Sequence, residues 1–233
     1  MQAVILAGGL GTRLRPFTEV IPKPLLPIGA SSLLEIQIDR LKRHGFDEIF
    51  LATNYKSDYI SHFLGDGSRY GVKLSISQED KPLGTAGPVT LLKDRLKEPF
   101  VVMNGDILST VDFTALYRTA MTLDVQLCVS IKKIFTPFGF GRITHNSGYV
   151  TAIEEKPTLE IEVLAGIYVF SPKLFEIIPE NECFGIDTLI NTMLARNLPI
   201  GKYDLTEYWI DIGQVPDYEK AQKDYQLYFG NHE

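Results

Sequence analysis

Leu6-Ala7-Gly8-Gly9-Leu10-Gly11-Thr12-Arg13-Leu14 follows the apolar run 3–6, and ten residues beyond Arg13 stands Lys23, between Pro22 and Pro24. The run reads as a buried first strand, so the glycines fall where a strand ends and a loop can wrap an anion. Glycine lets the backbone pass close to phosphate oxygens and reach positive φ, the exposed N–H groups donate, and Arg13 and Lys23 add cationic donors. A tight glycine turn with two surface cations would have the same composition, but two cations at this spacing favour a phosphate site.

At 233 residues and 45% hydrophobic content the chain can bury a full core, and one domain over 1–233 is ordinary for an α/β fold. A formal net charge of −6 argues against a broad nucleic-acid surface and leaves room for a local cationic pocket with a small phosphate ligand. Cys128 and Cys183 show neither metal-ligand nor disulfide spacing, which suits a reducing compartment and reads as packing. The N-terminus enters a strand without a basic leader, and no apolar stretch reaches the roughly 18 residues of a membrane span. The expectation is a soluble cytoplasmic protein with no membrane partner.

Strand-like and helix-like segments alternate, which predicts a sheet covered by helices on both faces. Helices are expected over 32–44, 57–64, 82–96, 113–121, 172–178, 187–196 and 216–228, and strands over 48–53, 72–78, 100–103, 125–132, 142–144, 149–155, 163–170 and 200–203. The β-rich second half predicts a mixed rather than a purely parallel sheet. The strand over 100–103 runs into Asn104-Gly105-Asp106, repeating the strand-then-loop arrangement of the N-terminus, as expected where ligands bind beyond the carboxyl ends of strands.

Asp106, freed by Gly105 at a strand exit, is placed to hold a hard cation near the phosphate loop, since Mg²⁺ takes oxygen ligands and joins one or two carboxylates to substrate phosphates. Its best partner is Asp211, in Tyr208-Trp209-Ile210-Asp211-Ile212-Gly213, because an aspartate set between apolar residues is costly to desolvate unless it meets a cation or several donors. Each aspartate alone would serve equally as a turn or cap.

In chain order, GGLGTRL with PKPLLPIG, then PLGTAGP, NGDI, EEKP, AGIYVFSP and WIDIG, resemble the sugar-1-phosphate nucleotidyltransferases over nearly the whole chain. The resemblance implies a Rossmann-like three-layer α/β fold with a mixed, mostly parallel central sheet, and a Mg²⁺-dependent reaction of NTP with sugar 1-phosphate to give NDP-sugar and pyrophosphate. It implies catalytic roles for Arg13 and Lys23 on the triphosphate and metal binding by Asp106 and Asp211. The nucleotide would lie along Leu6, Ala7, Gly8, Gly9, Gly11 and Thr12, with its base against Gln78, Glu79, Pro82, Gly84 and Thr85. The sugar phosphate would meet Asn104, Gly141, Glu155, Lys156, Leu164 and Ala165. Gly139 offers a second alignment for the sugar-side glycine, and Gly141 is preferred.

The segments 75–88 and 209–214 are most similar to guanylyltransferases that make GDP-sugars, which favours GTP over UTP, CTP or TTP. Where relatives making GDP-mannose usually have asparagine, this chain has Leu164, which removes a donor and an acceptor. A heptose, glucosamine or other modified hexose 1-phosphate is therefore as well founded as mannose 1-phosphate. The left-handed β-helix that many relatives append is not expected so soon after the last helix, and a symmetric homodimer is the default assembly.

Other classes fit less well. A P-loop enzyme would end its glycine loop in Gly-Lys-Ser/Thr, and Gly11-Thr12-Arg13 does not. A dinucleotide oxidoreductase would leave Lys23 and the paired aspartates without a role. A non-catalytic nucleotide-sugar sensor on the same fold is expected to have lost some of Arg13, Lys23, Asp106 and Asp211, and all four are present.

Overall fold

The first apolar run forms β1 (Gln2–Leu6), which is buried on both faces, Ala3 and Ile5 toward one core and Val4 toward another. The computed structural model describes every residue except Leu10, Tyr55 and 231–233. The strands that follow are β2 (Pro27–Ile28), β3 (Ser31–Ser32), β4 (Glu48–Thr53), β5 (Lys73–Gln78), β6 (Phe100–Asn104), β7 (Ile107–Ser109) and β8 (Leu127–Pro137). They continue with β9 (Arg142–Asn146), β10 (Tyr149–Glu154), β11 (Thr158–Phe170), β12 (Ile200–Asp204) and β13 (Trp209–Asp211). The α-helices are α1 (Phe17–Val20), α2 (Leu33–Arg43), α3 (Ser57–Leu64), α4 (Phe113–Leu123), α5 (Ile186–Ala195) and α6 (Val215–Tyr228).

Seven strands form the central sheet in the order β12-β8-β11-β6-β1-β4-β5. All run parallel except β11, which pairs antiparallel with both neighbours. The sheet is thus mixed and mostly parallel, as the sequence predicts. Because β1, β4 and β6 are covered on both sides, their residues alternate between two cores rather than between core and water. Helices α2, α3 and α4 close one face through Leu34, Ile38, Leu41, Ile60, Leu64, Phe113 and Leu116. On the other face lie Val89 and Leu92 of a 3-10 turn, Leu174, and Leu189 and Met193 of α5. Three layers result. A third cluster, with Leu14, Ile28, Leu33, Ile210, Ile212 and Tyr225, holds α6 against β13 and the start of α2.

Helix α2 starts where Ser32 and Glu35 form a reciprocal cap, Glu35 N–H donating to Ser32 Oγ at 3.3 Å and Ser32 N–H to the Glu35 carboxylate at 2.8 Å. Its end at His44-Gly45 agrees with the stop read from the sequence. The segment 82–96 differs from the expected helix: only Gly87–Leu92 winds, and as a 3-10 helix. Gly84 stands at φ 79°, and the N–H groups of Ala86 and Gly87 donate to the Phe184 carbonyl rather than within a helix. The expected helix over 172–178 is likewise a 3-10 segment, Pro172–Glu176. Cys128 is a core residue whose thiol burial pushes up to about 11, whereas Cys183 is exposed, against the packing role expected of it.

The largest departure is an arm. Strand β8 runs on from its buried start to Pro137, and β11 begins at Thr158, long before its buried end. Between them, β9 and β10 form a separate two-stranded sheet whose residues are all exposed. Where the arm enters the core, β11 bulges: Leu164 pairs with Ile131 and Tyr168 with Val129, so four residues on one strand advance against two on the other. The turned-out carbonyls are captured, Ala165 O by the Trp209 indole N–H at 2.8 Å and Ile167 O by the Ser130 hydroxyl at 2.6 Å. Gly166 makes the bulge at φ 70°, and a β-carbon there would stand 2.8 Å from Asn104 Nδ2.

Loss of the α2 cap should be measurable. Ser32→Ala is expected to lower the unfolding free energy by about 1 kcal/mol, read as a shift of the urea midpoint at constant slope; an unchanged midpoint would show that the cap contributes nothing.

Candidate functional site

Strands β1 and β6 are parallel neighbours with Leu6 opposite Asn104, so the loops that leave them lie side by side. The Gly105 N–H donates to the Leu6 carbonyl at 2.9 Å, which fixes the two loops against each other just outside the sheet. The first carries the glycines. Gly11, at φ 62°, caps the 3-10 turn Thr12–Leu14 that presents Arg13, and a β-carbon on it would meet Thr18 at 2.8 Å and the Lys23 stem at 3.1 Å. Only glycine lets the chain turn that tightly beside Lys23. Leu10 lies outside the described residues.

The second loop carries Asp106, and its Oδ2 accepts from Lys23 Nζ at 2.6 Å. Lys23 is only 9% exposed, so this pair lies in a poorly solvated place. The hairpin-like pairing of β7 with β13 sets Asp211 opposite Ile107, one residue from Asp106, and Ile212 N–H donates to the Asp106 carbonyl at 2.9 Å. The Asp211 carboxyl is reachable by solvent yet crowded by protein. Its pKa is raised first by that crowding and next by the charge of Asp106, with Lys23 and Arg13 pulling it back. Arg13 reaches the same place, since a β-carbon at Gly213 would stand 3.6 Å from its guanidinium nitrogens.

Two adjoining recesses result. One, of about 320 Å³, is lined by Leu6, Ala7, Gly9, Gly11, Thr12, Arg13, Lys23 and Asp106, with Pro24, Gly105 and Gly213. The other, of about 450 Å³, is lined by Gly8, Asn54, Glu79, Pro82, Gly84, Thr85 and Asn104, with Leu83 and Pro88. They share Leu6, Gly9 and Asp106. Glu79 is 7% exposed; its carboxylate accepts from Leu83 N–H at 2.9 Å and faces Gly8, where a β-carbon would stand 3.0 Å from Oε1. Burial raises its pKa, partly offset by that hydrogen bond. The loop around it is held from outside, Thr85 Oγ1 accepting from Ile186 N–H at 2.8 Å.

Most of the residues singled out for the nucleotide and the metal are therefore brought together. Gln78 is exposed at the end of β5, and it is the next residue, Glu79, that turns inward. The sugar-side residues divide. Asn104 lines the second recess and touches the bulge beside fully buried Ala165. Gly141, Glu155 and Lys156 lie on the arm, where a β-carbon on Gly141 would meet Glu155 Oε2 at 3.1 Å while one on Gly139 would meet nothing within 4 Å. Lys156 adopts φ 46°, and Leu164 is 41% exposed at the root of the arm. Asn54 went unread in the sequence. It directly follows β4, the neighbour of β1, so the rule about carboxyl ends of strands would have found it.

The family model for nucleotidyl transferases matches residues 2–227. The chain belongs to the nucleotidyl transferase family. This nucleotidyl transferase is 34% identical to mannose-1-phosphate guanylyltransferase 1 of Arabidopsis thaliana over 94% of its own length and 63% of that protein's. It is 31% identical to the UTP–glucose-1-phosphate uridylyltransferase of Synechocystis over 95% of its length and 62% of that chain. Among solved structures it is similar to HddC from Yersinia pseudotuberculosis complexed with GMP-PN, with 28% identity, a TM-score of 0.74, and coverage of 96% of this chain and 99% of that one. The chain thus spans a little under two thirds of the curated relatives it matches. Among the described residues no helix is long and apolar enough to cross a membrane.

The two aspartates have a consequence for stability. Because Asp211 holds its proton more tightly in the folded chain than in the unfolded one, the folded state loses stability as pH rises through the carboxylate range. Asp211→Asn is expected to raise the thermal midpoint at pH 7 in EDTA, with the gain shrinking as pH falls through the raised folded-state pKa and gone below about 4, where the carboxyl is protonated in both states. Thermal scans across that range check it, and a gain independent of pH would remove the charge explanation.

Proposed function

We propose that this nucleotidyl transferase joins a sugar 1-phosphate to the α-phosphorus of a nucleoside triphosphate, GTP by preference, releasing pyrophosphate with the help of Mg²⁺. The observation that carries this reading is the pair of recesses meeting at Asp106: a cationic, glycine-lined one on one side and a larger one with a buried carboxylate on the other.

The sugar phosphate needs no general base, since its second pKa near 6 leaves a nucleophilic oxygen at neutral pH. That oxygen attacks the α-phosphorus, the bond to the bridging oxygen breaks, and pyrophosphate leaves with its electron pair. What remains for the protein is positioning and charge. Arg13 and Lys23, with the N–H groups of the glycine loop, would hold the β- and γ-phosphates as negative charge builds on the leaving group. Among the described residues no cluster of three His, Cys, Asp or Glu side chains could hold a metal. A pair of carboxylates is what Mg²⁺ uses when phosphates supply the remaining oxygens, and the crowding by protein and the Asp106 charge that together raise the Asp211 pKa are what a cation offsets. Asp106 and Asp211 would hold it. Bound there, Mg²⁺ would screen the triphosphate and draw charge from the α-phosphate oxygens.

Guanine presents adjacent N–H groups at N1 and N2, both of which a carboxylate accepts, whereas uracil and thymine present one N–H between two carbonyls that repel it. The buried Glu79 therefore favours guanine, in keeping with the guanylyltransferase relative. The uridylyltransferase relative makes UTP the comparison to run. On the sugar side, Asn104 and the arm residues Gly141, Glu155, Lys156 and Leu164 would meet a hexose or heptose 1-phosphate, with Leu164 offering an apolar wall in place of a hydroxyl partner.

Pyrophosphate release from four NTPs against a panel of sugar 1-phosphates tests the reading; binding of nucleotide sugars with no release in any pairing would refute catalysis. Asp106→Asn and Asp211→Asn are each expected to abolish Mg²⁺-dependent turnover while the fold survives, and full activity in either would take that residue out of the metal site. Glu79→Gln is expected to lower kcat/KM for GTP relative to UTP by about 10- to 100-fold, in line with the loss of one bidentate base contact. An unaltered GTP/UTP ratio would assign base choice elsewhere.

A further inference from the structure

Helix α2 buries a polar side chain among apolar ones. Gln37 is 3% exposed on the face that carries Leu33, Leu34, Ile38 and Leu41. An amide there is costly unless bonded. Its Nε2 donates to two main-chain carbonyls, Asn104 O at 3.1 Å and Ile107 O at 2.7 Å. These are the residues on either side of Gly105 and Asp106. One side chain from a rigid helix thus spans both ends of the loop that carries Asp106, while Gly105 N–H and Asp106 O are tied to Leu6 and Ile212. One turn further along, Arg40 bonds the carbonyls of Thr110 and Val111 at 2.8 and 3.1 Å, outside that loop.

We propose that Gln37 is a positioning residue that sets the Asp106 loop for the magnesium ion, acting through the carbonyls of Asn104 and Ile107 rather than on the substrate. The inference rests on the reading of Asp106 as a metal carboxylate. Outer groups that orient a ligand in this way are worth about 10- to 100-fold in metal affinity or activity when removed. Arg40 supplies the comparison, since its removal strips two carbonyls of a donor on the same helix without touching the aspartate loop.

The single tryptophan, Trp209, lies two residues before Asp211 on β13 and serves as the fluorescent probe. Its fluorescence is titrated with Mg²⁺ alone in the full chain, and pyrophosphate release is followed against Mg²⁺ at saturating GTP and sugar 1-phosphate. Gln37→Leu is expected to raise the half-saturating Mg²⁺ concentration about 10-fold or more in both measurements. Gln37→Glu, which keeps the length and shape of the side chain, should do the same and carries the test if the leucine variant does not fold. Arg40→Met should lower the thermal midpoint and leave the Mg²⁺ half-saturation where it was. Equal Mg²⁺ half-saturation in wild type and the folded Gln37 variants would overturn the proposal, as would a shift of the same size in Arg40→Met. Asp106→Asn separates the two readings: if it leaves the Mg²⁺ titration unaltered, the metal assignment fails; if it abolishes the response while the Gln37 variants behave as wild type, only the positioning role fails.

Discussion

Everything at the site hangs on the parallel pairing of β1 with β6, carried one residue past the sheet by the hydrogen bond from Gly105 to the Leu6 carbonyl. Parallel strands end on the same edge, so the glycine loop and the loop that presents the Asp106 carboxylate are delivered next to each other without any contact between their side chains having to arrange it. The sheet is buried on both faces, with Ala3, Val4, Ile5, Val101 and Val102 fully inaccessible, and that burial makes the edge rigid. A full aliphatic burial contributes about 1.5–3 kcal/mol per side chain.

The cost is electrostatic. Burial and the charge of Asp106 both raise the energy of an ionised Asp211, and Lys23, itself buried and bonded to Asp106, answers only part of that. Glu79 is similar, a buried carboxylate that accepts from the Leu83 backbone N–H. Groups kept in such surroundings are poor choices for stability and good ones for meeting a charged ligand, because the ligand supplies the partners that water no longer does.

The sequence made the central layers legible because hydrophobic pattern and burial coincide there: the runs at 3–6, 48–53 and 100–103 are strands, and the Ser32 cap with Leu34, Ile38 and Leu41 marks α2. The glycine loop and both aspartates could be read for a different reason, since residue chemistry at strand ends carries meaning without knowledge of packing. The arm was only partly legible. Strands β9 and β10 match the runs read at 142–144 and 149–155 although they bury nothing, but the extension of β8 to Pro137 and the early start of β11 lie among charged residues such as Lys133, Glu160 and Glu162 that read as loop. The helix expected over 82–96 failed because its first donors go to Phe184, a hundred residues away, a tertiary bond that no local propensity can announce. Gln37 was hidden by its setting, an amide in an apolar stripe whose partners are backbone carbonyls without sequence identity.

The lone antiparallel strand has an effect of its own. Because β11 runs against its neighbours, its beginning, not its end, emerges at the edge where the other strands finish, and β8 leaves the sheet there beside it. The arm is thus a cantilever rooted at the Ala165–Ile167 bulge, and few of its residues answer to the core. Drift in its sequence is cheap, while drift in the glycine and aspartate loops is checked by the packing beneath them. A fold divided in this way can vary its arm without disturbing the two recesses beside the sheet.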